Sequence, residues 1–218
     1  MQLLVLNGSP RGPKSNTRFL ADQFRHGFST TPSNQAETLD LARPSDRDKA
    51  LAGFWQSQAV LLGFPLYADA MPGIVKEFLE EVAKLPRPER RPTLVFLVQS
   101  GFPEASHTAA VAHYLERLAD RLGCVCAGVV RRGGMEGIRS QPAWMVRGVL
   151  RRFWRLGESF GRTGRLDPGT LQELAGRERC SRIGLRLACW WSRVMFWDRE
   201  LRANQAYDKR FAAPYAES

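Results

Sequence analysis

Cysteine and histidine are scarce in this chain of 218 residues, which has four cysteines and three histidines. The cysteines, Cys124, Cys126, Cys180 and Cys189, follow no zinc-binding or thioredoxin-type spacing. We therefore expect buried free thiols rather than a metal centre or a dithiol redox site. The histidines pair with no serine or cysteine in the pattern of a nucleophilic site, and we assign them surface or capping positions: His26, His107 and His113.

Long apolar runs are also absent. No stretch reaches the roughly 18 to 20 apolar residues that a membrane-spanning helix needs. The beginning of the chain has neither a basic segment nor a small-residue cleavage site of the kind found in signal peptides. These absences predict a cytoplasmic protein, and the length suits one large α/β domain with or without an extension.

A polar turn follows the first apolar segment of the chain. Residues 3–7 are predicted as a buried strand, and Leu20, Phe24 and Phe28 recur at helical spacing after the turn. Such a turn binds anions, because the free N–H groups and the positive dipole end of the helix point into it. Its side chains that suit a phosphate are Ser9, Arg11, Ser15, Asn16 and Thr17. We favour a phosphate site here over a simple helix cap in a solvated loop.

The same turn comes within one residue of the nucleoside-triphosphate loop G-x-x-x-x-G-K-[ST], with Pro13 in place of the second glycine. Proline has no N–H for the phosphates and cannot adopt the positive φ that glycine allows. The strand predicted at residues 59–64 ends in Pro65 and offers no metal-binding aspartate. A P-loop-like nucleotide-binding enzyme is therefore our third hypothesis for function.

Apolar segments alternate with helical periodicity over the first 130 residues. Strands are predicted at residues 3–7, 37–41, 59–64, 93–98 and 124–130, and helices at about 46–56, after Pro72 and at 106–122. This alternation predicts a doubly wound parallel sheet of the α/β class. The loops after strands one, three and four should meet at the carboxyl edge of that sheet and form one site.

Three of these loops resemble those of the flavodoxin-like NAD(P)H-dependent FMN reductases, a family that includes quinone reductases and iron–sulfur flavoproteins. The segment Gly8-Ser9-Pro10-Arg11 with Ser15-Asn16-Thr17 is similar to the FMN phosphate loop of that family. The second and third flavin loops of the family resemble Pro65-Leu66-Tyr67-Ala68 and Ser100-Gly101-Phe102. The resemblance covers about residues 1–140.

This resemblance implies a flavodoxin-like five-stranded sheet in the order 2-1-3-4-5 and bound FMN. It implies hydride transfer from NAD(P)H through the flavin to a quinone, a free flavin or a similar small acceptor. The residues implied to hold the cofactor are Ser9, Arg11, Ser15, Asn16, Thr17, Pro65, Leu66, Tyr67, Ala68, Ser100, Gly101 and Phe102. No catalytic side chain is required, because the flavin carries the chemistry. An iron–sulfur cluster is not expected, since no cysteine precedes Cys124.

Positive charge is concentrated at the end of the chain. Residues 1–130 hold 14 Lys+Arg against 13 Asp+Glu, whereas residues 131–218 hold 18 against 9. Helical periodicity replaces the alternating pattern beyond about Gln141, with a second arginine-rich and tryptophan-rich helix predicted from about Arg179 to Ala203. We therefore predict an FMN-binding domain at residues 1–140 and a basic helical extension at 141–218.

Three interpretations of this extension stay open. Its helices could pack on the sheet domain or across the interface of a homodimer, which we expect for this protein. They could instead rest on an anionic membrane surface, in which case the protein is membrane-peripheral. Nucleic-acid binding is disfavoured because no recognisable module accompanies the charge. A non-catalytic scaffold that docks through these helices is the alternative to an enzyme.

Overall fold

A five-stranded parallel sheet forms the centre of the first part of the chain. The computed structural model describes residues 1–176 and 181–213. The strands are β1 (Gln2–Asn7), β2 (Gln35–Asp40), β3 (Ala59–Pro65), β4 (Thr93–Gln99) and β5 (Val125–Arg132). Their order is β2-β1-β3-β4-β5, and every neighbouring pair is parallel. The predicted fold class and strand order are confirmed.

The register brings the carboxyl ends of three strands together. Asn7 at the end of β1 lies opposite Asp40 of β2 on one side and Gly63 of β3 on the other. All seven residues of β3 are buried, as expected of a central strand that is covered on both faces. The loops that follow β1, β3 and β4 consequently leave the sheet at one edge.

Six helices cover the two faces of this sheet. They are α1 (Asn16–Phe28), α2 (Pro44–Phe54), α3 (Gly73–Lys84), α4 (Ser106–Leu122), α5 (Ala143–Thr163) and α6 (Pro168–Ala175). One core cluster joins α2, α3 and α4 to side chains such as Leu4 and Leu6 of β1. The other joins α1, α5 and α6 to Leu3 and Val5, which point to the opposite face of the same strand.

Helix α5 is part of the sheet domain. A Cβ atom on Gly157 would overlap the carbonyl oxygen of Phe24 in α1, and a Cβ atom on Gly27 would overlap that of Trp154. Glycine at these positions lets the two helix backbones approach closely. The compact units divide between Met1–Glu178 and Arg179–Ser218, so the boundary that we placed at residue 140 differs from the division in the structure.

The second unit is helical from residue 182 to residue 203. It contains α7 (Arg182–Ser192), a π-helical turn (Arg193–Trp197), α8 (Asp198–Ala203) and a short 3-10 turn (Tyr207–Lys209). The predicted helix start at Arg179 lies outside the described residues. Within the part of the chain that the structure describes, no helix is long and apolar enough to cross a membrane.

The cysteines differ in exposure. Cys124 is buried and Cys126 is half-buried, whereas Cys189 in α7 is exposed. The expectation of buried thiols is therefore confirmed for Cys124. It is wrong for Cys189, because the side of α7 that carries this residue is exposed. Cys180 lies outside the described residues.

Candidate cofactor site

The buried side chain of Asn7 organises the turn after β1. Its Nδ2 donates hydrogen bonds to the carbonyl oxygen of Gly12 at 2.8 Å and to Oδ1 of Asp40 at 2.7 Å. Its Oδ1 accepts from the backbone N–H of Ser9 at 3.2 Å and from Oγ of Ser15 at 3.3 Å. Every polar atom of this amide therefore has a partner, and the turn has one defined shape.

Asp40 connects this turn to α1. Its carboxylate is buried and lies 2.9 Å from Nη1 of Arg18. The Nε atom of Arg18 also donates to both carboxylate oxygens of Asp22. A buried carboxylate is stable only when paired and hydrogen-bonded, so the Asn7–Asp40–Arg18 network forms a firm base under the turn. Asn7 and Asp40 are not among the site residues predicted from the sequence.

The predicted phosphate ligands occupy different positions in the turn. Ser15 caps α1, because its Oγ accepts from the N–H of Arg18 at 3.1 Å. Thr17 is fully buried, and its Oγ1 accepts from Nε2 of Gln99 at 3.4 Å. Gly12 has a φ of 57°, a conformation that favours glycine and lets the chain turn towards the helix. Because a helix leaves its first N–H groups without intrahelical partners, those of Asn16 and Thr17 are suited to bind an anion in the turn.

The second loop contains a tight turn with unusual backbone angles. Tyr67 and Ala70 exchange two backbone hydrogen bonds of 2.9 Å. The two residues between them, Ala68 and Asp69, have φ values of 45° and 59°. Turns with two positive φ values strongly prefer Asn-Gly, so alanine here is strained, as is common at functional sites. The loop is joined to β4 because the N–H of Leu66 donates to the carbonyl oxygen of Gln99 at 2.8 Å.

The third loop pairs with the loop after β5, residues 133–137. The N–H of Met135 donates to the carbonyl oxygen of Ser100 at 2.9 Å, and the N–H of Gly134 donates to that of Phe102 at 2.8 Å. Because Met135 is buried, this pairing anchors the loop to the core. Gly101 lies between these two contacts, and a Cβ atom added at this position would lie at ordinary packing distance from the Cβ atom of Glu136.

His107 lies between the second and third loops. Its ring stacks on the exposed ring of Phe102 with 4.7 Å between centroids, and its Nδ1 is 3.8 Å from Oδ1 of Asp69. We had assigned this histidine a surface or capping position, and the sequence contains no signal for its contact with the loops. The structure therefore places one imidazole at the site edge.

The loop at residues 133–137 also reaches the phosphate turn. Oε1 of Glu136 lies 3.3 Å from Nη1 of Arg11, and both side chains are largely exposed. Nδ2 of Asn16 donates to the carbonyl oxygen of Met135 at 2.9 Å. These contacts place the loop at residues 133–137 at the border of the site.

A small cavity of about 40 Å³ lies where these loops converge. Its lining comprises Ser9, Arg11, Asn16, Pro65, Tyr67, Gln99 and Glu136. Five of these residues were predicted, and Gln99 and Glu136 were missed. The other seven predicted residues lie in the same turn and loops without lining the cavity: Ser15, Thr17, Leu66, Ala68, Ser100, Gly101 and Phe102.

Gln99 is the least expected member of this lining. It ends the otherwise apolar strand β4 and is buried, and its Oε1 has no hydrogen-bond partner. A buried acceptor without a protein partner is rare in folded proteins, and this one can accept a hydrogen bond from a ligand. A polar residue at the carboxyl end of a buried strand was the signal in the sequence that could have identified it.

Comparisons with known proteins agree with this architecture. A family model described as having a flavodoxin-like fold matches residues 1–90. No curated protein matches the sequence. The NAD(P)H:quinone oxidoreductase from Methanothermobacter marburgensis superposes with a TM-score of 0.58 and 19% identity, over 73% of this chain and 96% of its own.

Two further solved structures are similar. The FMN-dependent NADH-azoreductase from Bacillus anthracis strain Ames Ancestor, solved in complex with FMN, has a TM-score of 0.56 and 12% identity, over 73% of this chain and 99% of its own. The Trp repressor binding protein from Bacillus subtilis has a TM-score of 0.53 and 22% identity, over 71% and 96%. These matches show that this chain has the flavodoxin-like fold.

Proposed function

We propose that this protein is an FMN-dependent oxidoreductase that takes a hydride from NAD(P)H and passes it to a quinone, a free flavin or a similar small acceptor. The observation that carries the proposal is the partnerless Oε1 of Gln99 beside Arg11 and the start of α1. Cationic, N–H and hydroxyl donors beside an unused acceptor fit a molecule that has both a phosphate and hydroxyl groups, as FMN has.

In this proposal the phosphate binds to Ser9, Arg11 and the first N–H groups of α1. The cavity is small, so Arg11 has to exchange Glu136 for the phosphate. That exchange costs little, because an exposed ion pair contributes about 0 to 1 kcal/mol, and a guanidinium binds a phosphate through two parallel hydrogen bonds. The Asn7 network keeps the turn in the required shape before the ligand arrives.

The remaining loops supply surfaces for the ring of the cofactor. Gln99 would accept a hydrogen bond from a hydroxyl of the ribityl chain. Tyr67 and Phe102 expose aromatic faces at this edge, which suit a flat heterocycle. Bound FMN supplies the hydride-transfer chemistry. The residues of this chain bind it, orient it and limit the access of water.

The partners and location follow from this chemistry. We propose a homodimer, in which a second copy covers exposed aromatic side chains at the site edge and helps to exclude water. We propose a cytoplasmic location at the surface of an anionic membrane, where a lipid-soluble quinone is available as acceptor. The alternative is the non-catalytic scaffold with the same fold.

An FMN titration followed by absorbance tests the proposal. We expect bands near roughly 375 and 450 nm that bleach when NADPH is added without oxygen. Gln99→Leu should weaken FMN binding about 10-fold, because the site then loses one hydrogen bond to the ligand. Gln172→Leu on the exposed surface of α6 is the matched control and should bind as the unaltered protein does.

The possible failures differ from one another. Flavin binding without NAD(P)H oxidation under any acceptor favours the scaffold. Binding of Mg-ATP without affinity for FMN favours the nucleotide-binding enzyme. Normal FMN binding by Gln99→Leu contradicts the role of Gln99 alone.

A further inference from the structure

An apolar stripe on α7 faces solvent. Ile183, Leu187, Trp190 and Trp191 are between 41% and 73% exposed. Their spacing of four, three and one residues places them on one side of the helix. Val194 in the following π-helical turn extends the exposed apolar surface. Single exposed apolar residues are common, but five exposed apolar side chains along one segment mark an interaction surface.

The charges beside this stripe all have one sign. Residues 181–197 contain Arg182, Arg186 and Arg193 and no acidic residue. At about 100° per residue the three arginines fall on one flank of the stripe. Arg193 lies 3.7 Å from Asp198 at the start of α8. The surface that can contact a partner is therefore apolar in its centre and cationic along one side.

We infer that this segment, residues 181–197, docks the protein onto an anionic lipid surface. Tryptophan suits the boundary between acyl chains and headgroups, because its ring is apolar and its indole N–H is a donor. Arginine can lay its stem along an apolar surface while the guanidinium contacts lipid phosphates. An amphipathic helix of this composition lies in the plane of the membrane.

Other occupants fit this surface less well. A second copy would bring the same arginines to a symmetric interface, where like charges oppose association. A nucleic acid would pair with the arginines and leave the apolar stripe in water. The inference rests on the proposed membrane location, but not on the binding of FMN or on the reaction.

Binding of the full-length protein to vesicles tests the inference. The vesicles are made of phosphatidylcholine with phosphatidylglycerol, or of phosphatidylcholine alone, and the bound fraction is measured by co-sedimentation. We expect binding to the anionic vesicles that weakens as salt is added. The double variant Arg182→Gln with Arg186→Gln should bind the anionic vesicles roughly 10- to 30-fold more weakly, at about 1 kcal/mol per arginine.

A matched variant removes the same charge elsewhere. Arg117 and Arg162 are exposed residues of α4 and α5, and their replacement by glutamine should leave vesicle binding within about two-fold, since neither lies in the docking segment. Leu187→Ser with Trp191→Ser tests the apolar stripe and should reduce binding to the anionic vesicles about 10-fold or more. Val125→Ser with Trp144→Ser, two exposed positions in the first unit, is its control.

The outcomes separate the two proposals. If the unaltered protein does not bind anionic vesicles, the proposed membrane location is wrong, while FMN binding measured on the same sample stands by itself. If the unaltered protein binds anionic vesicles and the two double-arginine variants lose that binding equally, the assignment of residues 181–197 is wrong. If the stripe variant keeps vesicle binding but dissociates a dimer in sedimentation velocity, the surface is an interface between copies. Preferential binding to duplex DNA also overturns the inference.

Discussion

Two arginine-rich helices of this protein have the same amphipathic pattern, but the apolar face is buried in one and exposed in the other. In α5 the apolar residues Phe153, Leu156 and Phe160 are fully buried against α1 and the sheet. In α7 the apolar residues Ile183 and Leu187 are exposed. Amphipathic periodicity therefore identifies the face of a helix that needs cover, but it does not identify what covers it.

Glycine marks the difference between the two helices. Gly157 and Gly161 in α5 lie where a Cβ atom would collide with the backbone of α1. Gly27 in α1 lies where a Cβ atom would collide with the backbone of α5. In α7 the atom nearest to a Cβ on Gly184 is Oγ of Ser181, at 3.0 Å. Small residues on both sides of a contact allow a close crossing of helices, and only α5 has that arrangement.

Truncation of a buried ring should give the largest contrast between the two helices. Phe160→Ala in α5 should lower the free energy of unfolding by about 3 to 5 kcal/mol, because it leaves a cavity beside Phe24 and Phe28. Ile183→Ala in α7 should change it by no more than about 0.5 kcal/mol, since the side chain is exposed. Urea denaturation followed by circular dichroism measures both values. A similar loss from the two variants would mean that the stripe of α7 is buried in solution.

The close crossing itself can be broken by one methyl group. Gly157→Ala should lower the free energy of unfolding by about 1 to 3 kcal/mol, because the helices have to separate to admit the Cβ atom. Gly148→Ala is the control in the same helix, where the nearest atom is the end of the Arg152 side chain at 3.4 Å. It should raise the stability by up to about 1 kcal/mol through helix propensity. Equal effects in urea denaturation would show that α1 and α5 do not need this close contact.

The chemical reactivity of the thiols should also differ between the two units. Burial raises the pKa of Cys124 to about 11, and burial also raises the pKa of Cys126. Since the thiolate is the reactive form, iodoacetamide at about pH 8 should modify exposed Cys189 on the order of 100-fold faster than Cys124. The reactivity of Cys124 should rise as the pH approaches its raised pKa. Peptide mass mapping gives the individual rates, and denaturant should bring them together. Equal rates in the native protein would contradict the difference in burial.

The local elements of this fold could be read from the sequence. The five strands were predicted to within a few residues. For β1, β3 and β4 the reason is that a strand buried on both faces is a continuous apolar segment. The predicted end of α4 at residue 122 is correct, and Gly123 after it has the left-handed conformation, with a φ of 68°. In contrast, α6 was missed, since its eight residues are too few for a periodic pattern.

The sequence by itself determined the strands, the long helices and the turn in which phosphate-competent side chains collect, because these depend on neighbouring residues. The tertiary structure decided which distant residues support that turn. Asn7 and Asp40 are 33 positions apart and meet because β1 and β2 are parallel neighbours. Gln99 reaches the cavity from the end of β4, and Glu136 reaches it from the loop after β5. Such contacts arise from strand order and loop packing, which no local pattern encodes.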